Sequence, residues 1–222
     1  MKNKKKISII LNGIIFILTI IASIIMFTGF KFMHGMEPVL ESTKLGMLRF
    51  FTVQSNIFMG LVALLFLLKT ITKQEITKID YILNLASTTA VTLTFVVVFL
   101  YLGPIAKGGL SSMLQNSNLF FHLIIPVLSI INFTIFESTK KIKFKDTIIG
   151  IAPALLYSAY YVTNVLIHME NGKVSPIYDW YWFVQNGVWT AIIVGPFMLL
   201  VTYLIVLVLW KVNKKDILQA KC

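Results

Sequence analysis

Long apolar runs separated by short, lysine-bearing connections most limit what this chain can fold into. Runs at about 7–30, 50–68, 79–102, 119–136, 147–168 and 187–210 each approach or exceed the ~20 residues that a helix needs to cross a bilayer. The connections are too short to hold a soluble domain. Lipid tolerates only segments that satisfy their own backbone hydrogen bonds. The expectation is therefore an all-α, polytopic membrane protein: one integral domain over residues 1–222, folded as a bundle of six transmembrane helices. Composition agrees, with 57% hydrophobic residues, 13% charged residues and a mean hydropathy of +0.83. Lys2, Lys4, Lys5 and Lys6 open the first run as they would a signal peptide. That run continues through Ile24-Ile25-Met26-Phe27 without a small-residue cleavage site, so it reads as a span.

The basic residues orient the bundle. Fifteen of the twenty fall at the N-terminus, in the Lys69/Lys73/Lys78 and Lys140/Lys141/Lys143/Lys145 turns, and at the C-terminus; Lys31, Lys44, Arg49, Lys107 and Lys173 fall on the other side. Positive charge accumulates inside, which predicts a cell-membrane protein with both termini cytoplasmic. The same pattern accounts for the net charge of +11 without a nucleic-acid partner, because the lysines cluster between spans and form no single patch. Tyr178, Trp180, Tyr181 and Trp182 gather before the sixth run, where amphipathic rings mark the outer membrane interface. Cys222 is the only cysteine and stands last, leaving no disulfide framework, thiolate metal site or buried thiol nucleophile.

Against this apolar background, the stretch Arg49-Phe50-Phe51-Thr52-Val53-Gln54-Ser55-Asn56 needs a separate reason. Thr52, Ser55 and Asn56 stand at i, i+3 and i+4, so a helix presents them on one side, with Gly60 one turn further on. Thr52 lies three residues past Arg49, about 4–5 Å into its helix; His122 lies four residues past Asn118, about 6 Å into the fourth. The two therefore share one layer near the outer surface. Pro126 follows His122 by four residues, so in a regular helix the His122 carbonyl loses its donor and needs another partner. On the fifth span Tyr157, Tyr161, Asn164 and His168 form a helical stripe able to wall the same cavity. Asn84, Thr88 and Thr92 on the third span read as interhelical hydrogen-bonding groups, and Arg49 as a snorkelling anchor.

These residues carry a resemblance. Arg49 to Asn56 opening the second span, with Asn118, His122, Pro126, Asn132 and Phe136 on the fourth, is similar to the androgen-induced membrane hydrolase family and its six-span bacterial relatives. The bacterial members often carry an aspartate where Asn132 stands here, and a Tyr-Pro-Tyr-rich segment where this chain has Pro176 to Phe183. The resemblance implies a hydrolase of fatty acid esters that uses Thr52 and His122, with a lipid or acyl-ester substrate and no cofactor or bound metal. The chemistry is consistent with the residue types. A threonine hydroxyl is a weak nucleophile until a neighbouring imidazole takes its proton during attack. Ser55 and Asn56 are candidate oxyanion donors, and Asp179, Glu37 and Glu41 are candidate carboxylates to orient His122.

Two other readings fit the same residues. One is a metal-binding membrane protein, from His34, His122, His168 and Asp179 on the outer side, although their spacing matches no compact motif. The other is a non-catalytic transporter or assembly partner with Thr52, Asn56, Tyr161 and Asn164 along a passage. It requires polar groups to continue to the cytoplasmic face, whereas a catalytic pocket closes below the Thr52/His122 layer. The sequence carries no signal for an oligomeric state.

Overall fold

A computed structural model describes residues 2–33, 42–184 and 188–215. His34, Glu37, Glu41 and the start of the sixth run at Gly187 lie outside the described residues. The fold is an all-α bundle of six helices long and apolar enough to span a membrane: α1 (Lys2–Thr28), α2 (Phe51–Ile71), α3 (Lys78–Ile105), α4 (Ser117–Phe136), α5 (Phe144–Ile167) and α6 (Val188–Lys214). Helix ends fall within a few residues of the expected ones. The outward faces are lipid-like: Ile10, Ile17, Leu61, Leu100, Leu156, Ile193 and Val208 are all exposed apolar side chains.

Helix α3 is the centre of the bundle. It touches α2, α4, α5 and α6, while α1 packs against α2 and α4. Close approach of α1 and α2 depends on Gly60, where an added Cβ would lie 2.8 Å from the Thr19 side chain. The start of α3 is fixed by a reciprocal cap: the Asp80 amide donates to Thr77 Oγ1, and the Thr77 amide donates to Asp80 Oδ2. Lys69 and Lys78 extend this end through ion pairs with Asp80 (2.6 Å) and Asp146 (2.8 Å).

The two ends of the bundle are built differently. The first turns of α1 and the last turn of α6 lie beside Glu137, which follows α4 by one residue. Its side chain accepts from Ser8 Oγ (2.7 Å), Asn12 Nδ2 (2.6 Å) and Asn84 Nδ2, so one carboxylate joins α1, α3 and α4. Asn213 Nδ2 donates to the Glu137 carbonyl and brings in α6. Asn84 is thus interhelical as expected, whereas Thr92 returns its hydroxyl to its own helix at Thr88 O. At the opposite end a hairpin, β1 (Met169–Glu170) with β2 (Lys173–Val174), turns on Asn171-Gly172, both at positive φ. The segment after it folds inward. Trp180 is 5% exposed and packs on Tyr161, while Tyr178 and Trp182 remain outward, so only part of the aromatic cluster faces the surroundings as an interfacial belt.

Burial pushes the Glu137 carboxyl above its ordinary value of 4.5, against the lowering effect of the Asn12, Ser8 and Asn84 hydrogen bonds. The folded protein therefore holds the proton to higher pH than the unfolded chain does. Stability contributed by this group is fully present below about 4.5 and is lost as pH rises through the folded pKa. Thermal unfolding in detergent micelles is expected to show a midpoint that falls with pH across that window. Glu137→Gln, which does not titrate, is expected to flatten the dependence.

Candidate functional site

The π turn in α4 decides how the site is assembled. Residues Phe120–Ile124 adopt i→i+5 bonding, with the Ile125 amide donating to the Phe120 carbonyl. In this register the donor that Pro126 lacks belongs to the Phe121 carbonyl, not to His122 as a regular helix requires. Asn56 Nδ2 fills that gap, donating to Phe121 O at 3.1 Å and also to Thr52 O at 2.8 Å. One amide thus ties the backbone of Thr52 to the backbone beside His122. Ser55 Oγ donates to the same Thr52 carbonyl at 3.0 Å. Ser55 and Asn56 are accordingly committed to backbone, and neither borders the pocket described next.

Thr52, Asn118 and His122 line one narrow pocket, together with Met26, Phe50, Val53 and Tyr181. Asn118 is 1% exposed and His122 3%; Thr52 is half-buried. The layer inferred from helical rise is thus the pocket wall. His122 is oriented by a backbone group: its Nδ1 lies 2.7 Å from the Met113 carbonyl. A carbonyl only accepts, so Nδ1 carries the proton and Nε2 keeps its lone pair. No described residue bonds Nε2. Asp179, proposed from sequence as the orienting carboxylate, is engaged elsewhere. It takes the Tyr161 hydroxyl and the Phe183 and Val184 amides, both at 3.0 Å, and so holds the inward-folded segment 179–184.

The Thr52 hydroxyl differs from those of Thr19, Thr134 and Thr202 and shares its lack of a partner with the buried Thr89 hydroxyl on α3. Thr19, Thr134 and Thr202 each donate to the carbonyl four residues back on their own helix. At Thr52 the chain leaves the helical path one residue before α2, since Phe50 is extended. The two carbonyls that would otherwise serve are already engaged. Leu48 O accepts from Gln54 Nε2 at 2.7 Å, and Arg49 O accepts from Tyr157 OH at 2.6 Å. Thr52 Oγ1 has no hydrogen bond to any described residue, and Thr52 borders the pocket that contains His122.

The fifth-span stripe does not share this pocket. Tyr157 lines a separate apolar groove of about 890 Å³ on the other face of α2, among Phe51, Phe58, Leu156 and Tyr160. Tyr161 meets Asp179, Asn164 Nδ2 donates to Tyr178 O, and His168 stacks on the Tyr178 ring. These residues anchor the segment after the hairpin to α5. Arg49 lies with its guanidinium over the rings of Phe50 (4.9 Å) and Trp180 (5.9 Å). Among the described residues no three His, Cys, Asp or Glu side chains gather as a metal site.

Below the pocket the bundle is packed. Buried polar residues continue toward Glu137, and Thr19, Thr92, Thr94 and Ser129 among them bond carbonyls of their own helices. Sequence reasoning found the two facing helices and missed Met113 and Tyr181. The Met113 contact is a backbone carbonyl brought back by the turn at Asn116, which adopts φ 52° and binds the Phe32 and Met33 amides.

Asn56→Ala leaves the Phe121 carbonyl without its donor. It is expected to lower stability by about 1–3 kcal/mol, measured by denaturant unfolding in micelles. Pro126→Ala restores a backbone donor, so it is expected to relax the π turn and move the His122 ring off Met113. That shift would be visible in the imidazole NMR signals, with smaller loss of stability. Comparison with protein-family models, characterised proteins and solved structures finds no match to this chain.

Proposed function

We propose that this protein is a membrane-embedded esterase or acyl-transfer enzyme in which Thr52 is the nucleophile and His122 the general base. The observation that carries it is the convergence of an unbonded threonine hydroxyl and an imidazole of defined tautomer on one pocket. In the proposed reaction Thr52 Oγ1 attacks the ester carbonyl carbon while its proton passes to His122 Nε2. The tetrahedral intermediate collapses, and the departing alkoxide takes that proton and leaves as the alcohol. Water, deprotonated by the same nitrogen, then releases the acyl group from Thr52 as a carboxylic acid; a second alcohol in place of water gives acyl transfer.

The likeness of Arg49 to Asn56 and of Asn118 to Pro126 to the androgen-induced membrane hydrolases supports the same assignment. So does the pocket's position at one end of the bundle, where an ester near lipid headgroups meets both water and acyl chains. With both termini in the cytoplasm, as the lysine distribution indicates, that end faces the outer leaflet of the cell membrane.

A fluorophosphonate probe tests the assignment. The purified protein in micelles is expected to be labelled on Thr52. Labelling is expected to disappear in Thr52→Ala and to fall by about 10²–10⁴-fold in rate in His122→Ala, the usual contribution of a general base. Labelling that persists unchanged in both variants would falsify the mechanism.

A further inference from the structure

Helices α2 and α5 leave an open groove between them, with α3 beneath. Ser55, Ile82, Ala86 and Tyr157 form its buried floor, whereas Ile149, Leu156 and Tyr160 on its rim are exposed. From Ile149 to Tyr160 the groove follows α5 for about 16 Å at the helical rise. That is close to half of the ~30 Å hydrocarbon core of a bilayer, the reach of one acyl chain in one leaflet. The lining is graded along this length. Ile82, Leu83, Ala86 and Ile149 make one end aliphatic, while Gln54, Tyr157 and Tyr160 bring polar atoms to the end nearer the hairpin. Water is a poor occupant of the aliphatic walls, and an empty groove forfeits their dispersion contacts.

A cation stands at the polar end. Arg49 is the only arginine in the chain, and its carbonyl accepts from Tyr157 OH at 2.6 Å. Its guanidinium lies 5.9 Å from the Trp180 ring, which packs 6.1 Å from the Tyr160 ring on the groove's rim. No described carboxylate pairs with Arg49, and its Nε has no hydrogen-bond partner among the described residues. Aromatic faces hold this charge in place without neutralising it. A phosphate neutralises it through two parallel N–H···O bonds, a geometry that a guanidinium matches and an ammonium does not.

We propose that this groove binds a single phospholipid, with one acyl chain lying between α2 and α5 and the phosphate against Arg49. The chain completes the packing of α5 on α2, and the phosphate secures the approach to the first turn of α2. The groove lies on the face of α2 away from the Thr52–His122 pocket, so the inference stands independently of the esterase reading.

The test uses the full chain in dodecyl maltoside micelles and a phosphatidylglycerol probe carrying a photoactivatable diazirine midway along one acyl chain. Adducts mapped by peptide mass spectrometry are expected within 149–160 of α5 and 51–58 of α2, and unlabelled phosphatidylglycerol is expected to suppress them. Ala152→Phe and Ile149→Trp fill the groove and are expected to abolish these adducts; Ile149 is exposed, so its variant leaves the core unaltered. Arg49→Gln is expected to raise the apparent Kd by about 10–100-fold, and Arg49→Lys by about tenfold. Thr52→Ala is expected to label as the natural chain does. Labelling that persists in Ile149→Trp with an unaltered size-exclusion profile overturns the site. Adducts spread equally over the outward faces of α1 and α6 mark boundary lipid only and also overturn it. Diacylglycerol or oleic acid competing as well as phosphatidylglycerol overturns the assignment of a phosphate to Arg49.

Discussion

A backbone carbonyl inside a membrane helix needs a donor, and the structure around the pocket follows from how Phe121 obtains one. Pro126 withholds an N–H, the π turn moves the deficit to Phe121, and Asn56 reaches across from α2 to supply it. A buried acceptor without a partner costs about 1–3 kcal/mol, more than an ordinary packing contact contributes. The bond thereby fixes the register of α2 against α4. Because Asn56 also binds the Thr52 carbonyl, the same register sets where Thr52 stands relative to His122. Backbone satisfaction and site assembly are one interaction here.

Freedom of the Thr52 hydroxyl has a similar origin. A threonine within a lipid-facing helix ordinarily satisfies itself by bonding back to its own backbone, as Thr19 and Thr202 do. Thr52 occupies the first turn, after an extended Phe50, and Gln54 and Tyr157 have taken the nearest preceding carbonyls. The hydroxyl therefore remains available without being wholly buried, which limits the cost of leaving it unbonded. Tyr157 connects this arrangement to the segment after the hairpin, since its hydroxyl also accepts from Trp180 Nε1 at 3.0 Å.

Much of the fold was legible from hydropathy alone, because spans of this length have few alternatives in lipid. The shared layer of Thr52 and His122 was also legible, since helical rise converts residue spacing directly into depth. Three details were not. The π turn changes which carbonyl Pro126 orphans, and no residue pattern announces an i→i+5 register. The partner of His122 is a main-chain carbonyl, which has no residue identity to recognise. Asp179 drew attention as a carboxylate on the correct side, yet its charge is absorbed by amides four and five residues ahead and by Tyr161. A carboxylate's type is visible in sequence, but what it faces depends on tertiary folding.

The two polar ends of the bundle solve the same desolvation problem in different ways. Around Glu137, donors from Ser8, Asn12 and Asn84 converge until the carboxylate is enclosed by partners, and that end acts as a clamp joining helices. Around Thr52 and His122 the partners engage other atoms than Thr52 Oγ1 and His122 Nε2: Asn56 and Ser55 take backbone, Met113 takes Nδ1, and Gln54 and Tyr157 take the carbonyls. Left without a partner among the described residues are the Thr52 hydroxyl and the second imidazole nitrogen of His122, on two residues that line one pocket. Stability alone gives no reason to collect unsatisfied groups in this way, because pairing them internally would be favourable. Their meeting on one pocket between α2 and α4 is the physical argument for the proposed chemistry there, as the enclosed Glu137 side chain is for structure at the other end.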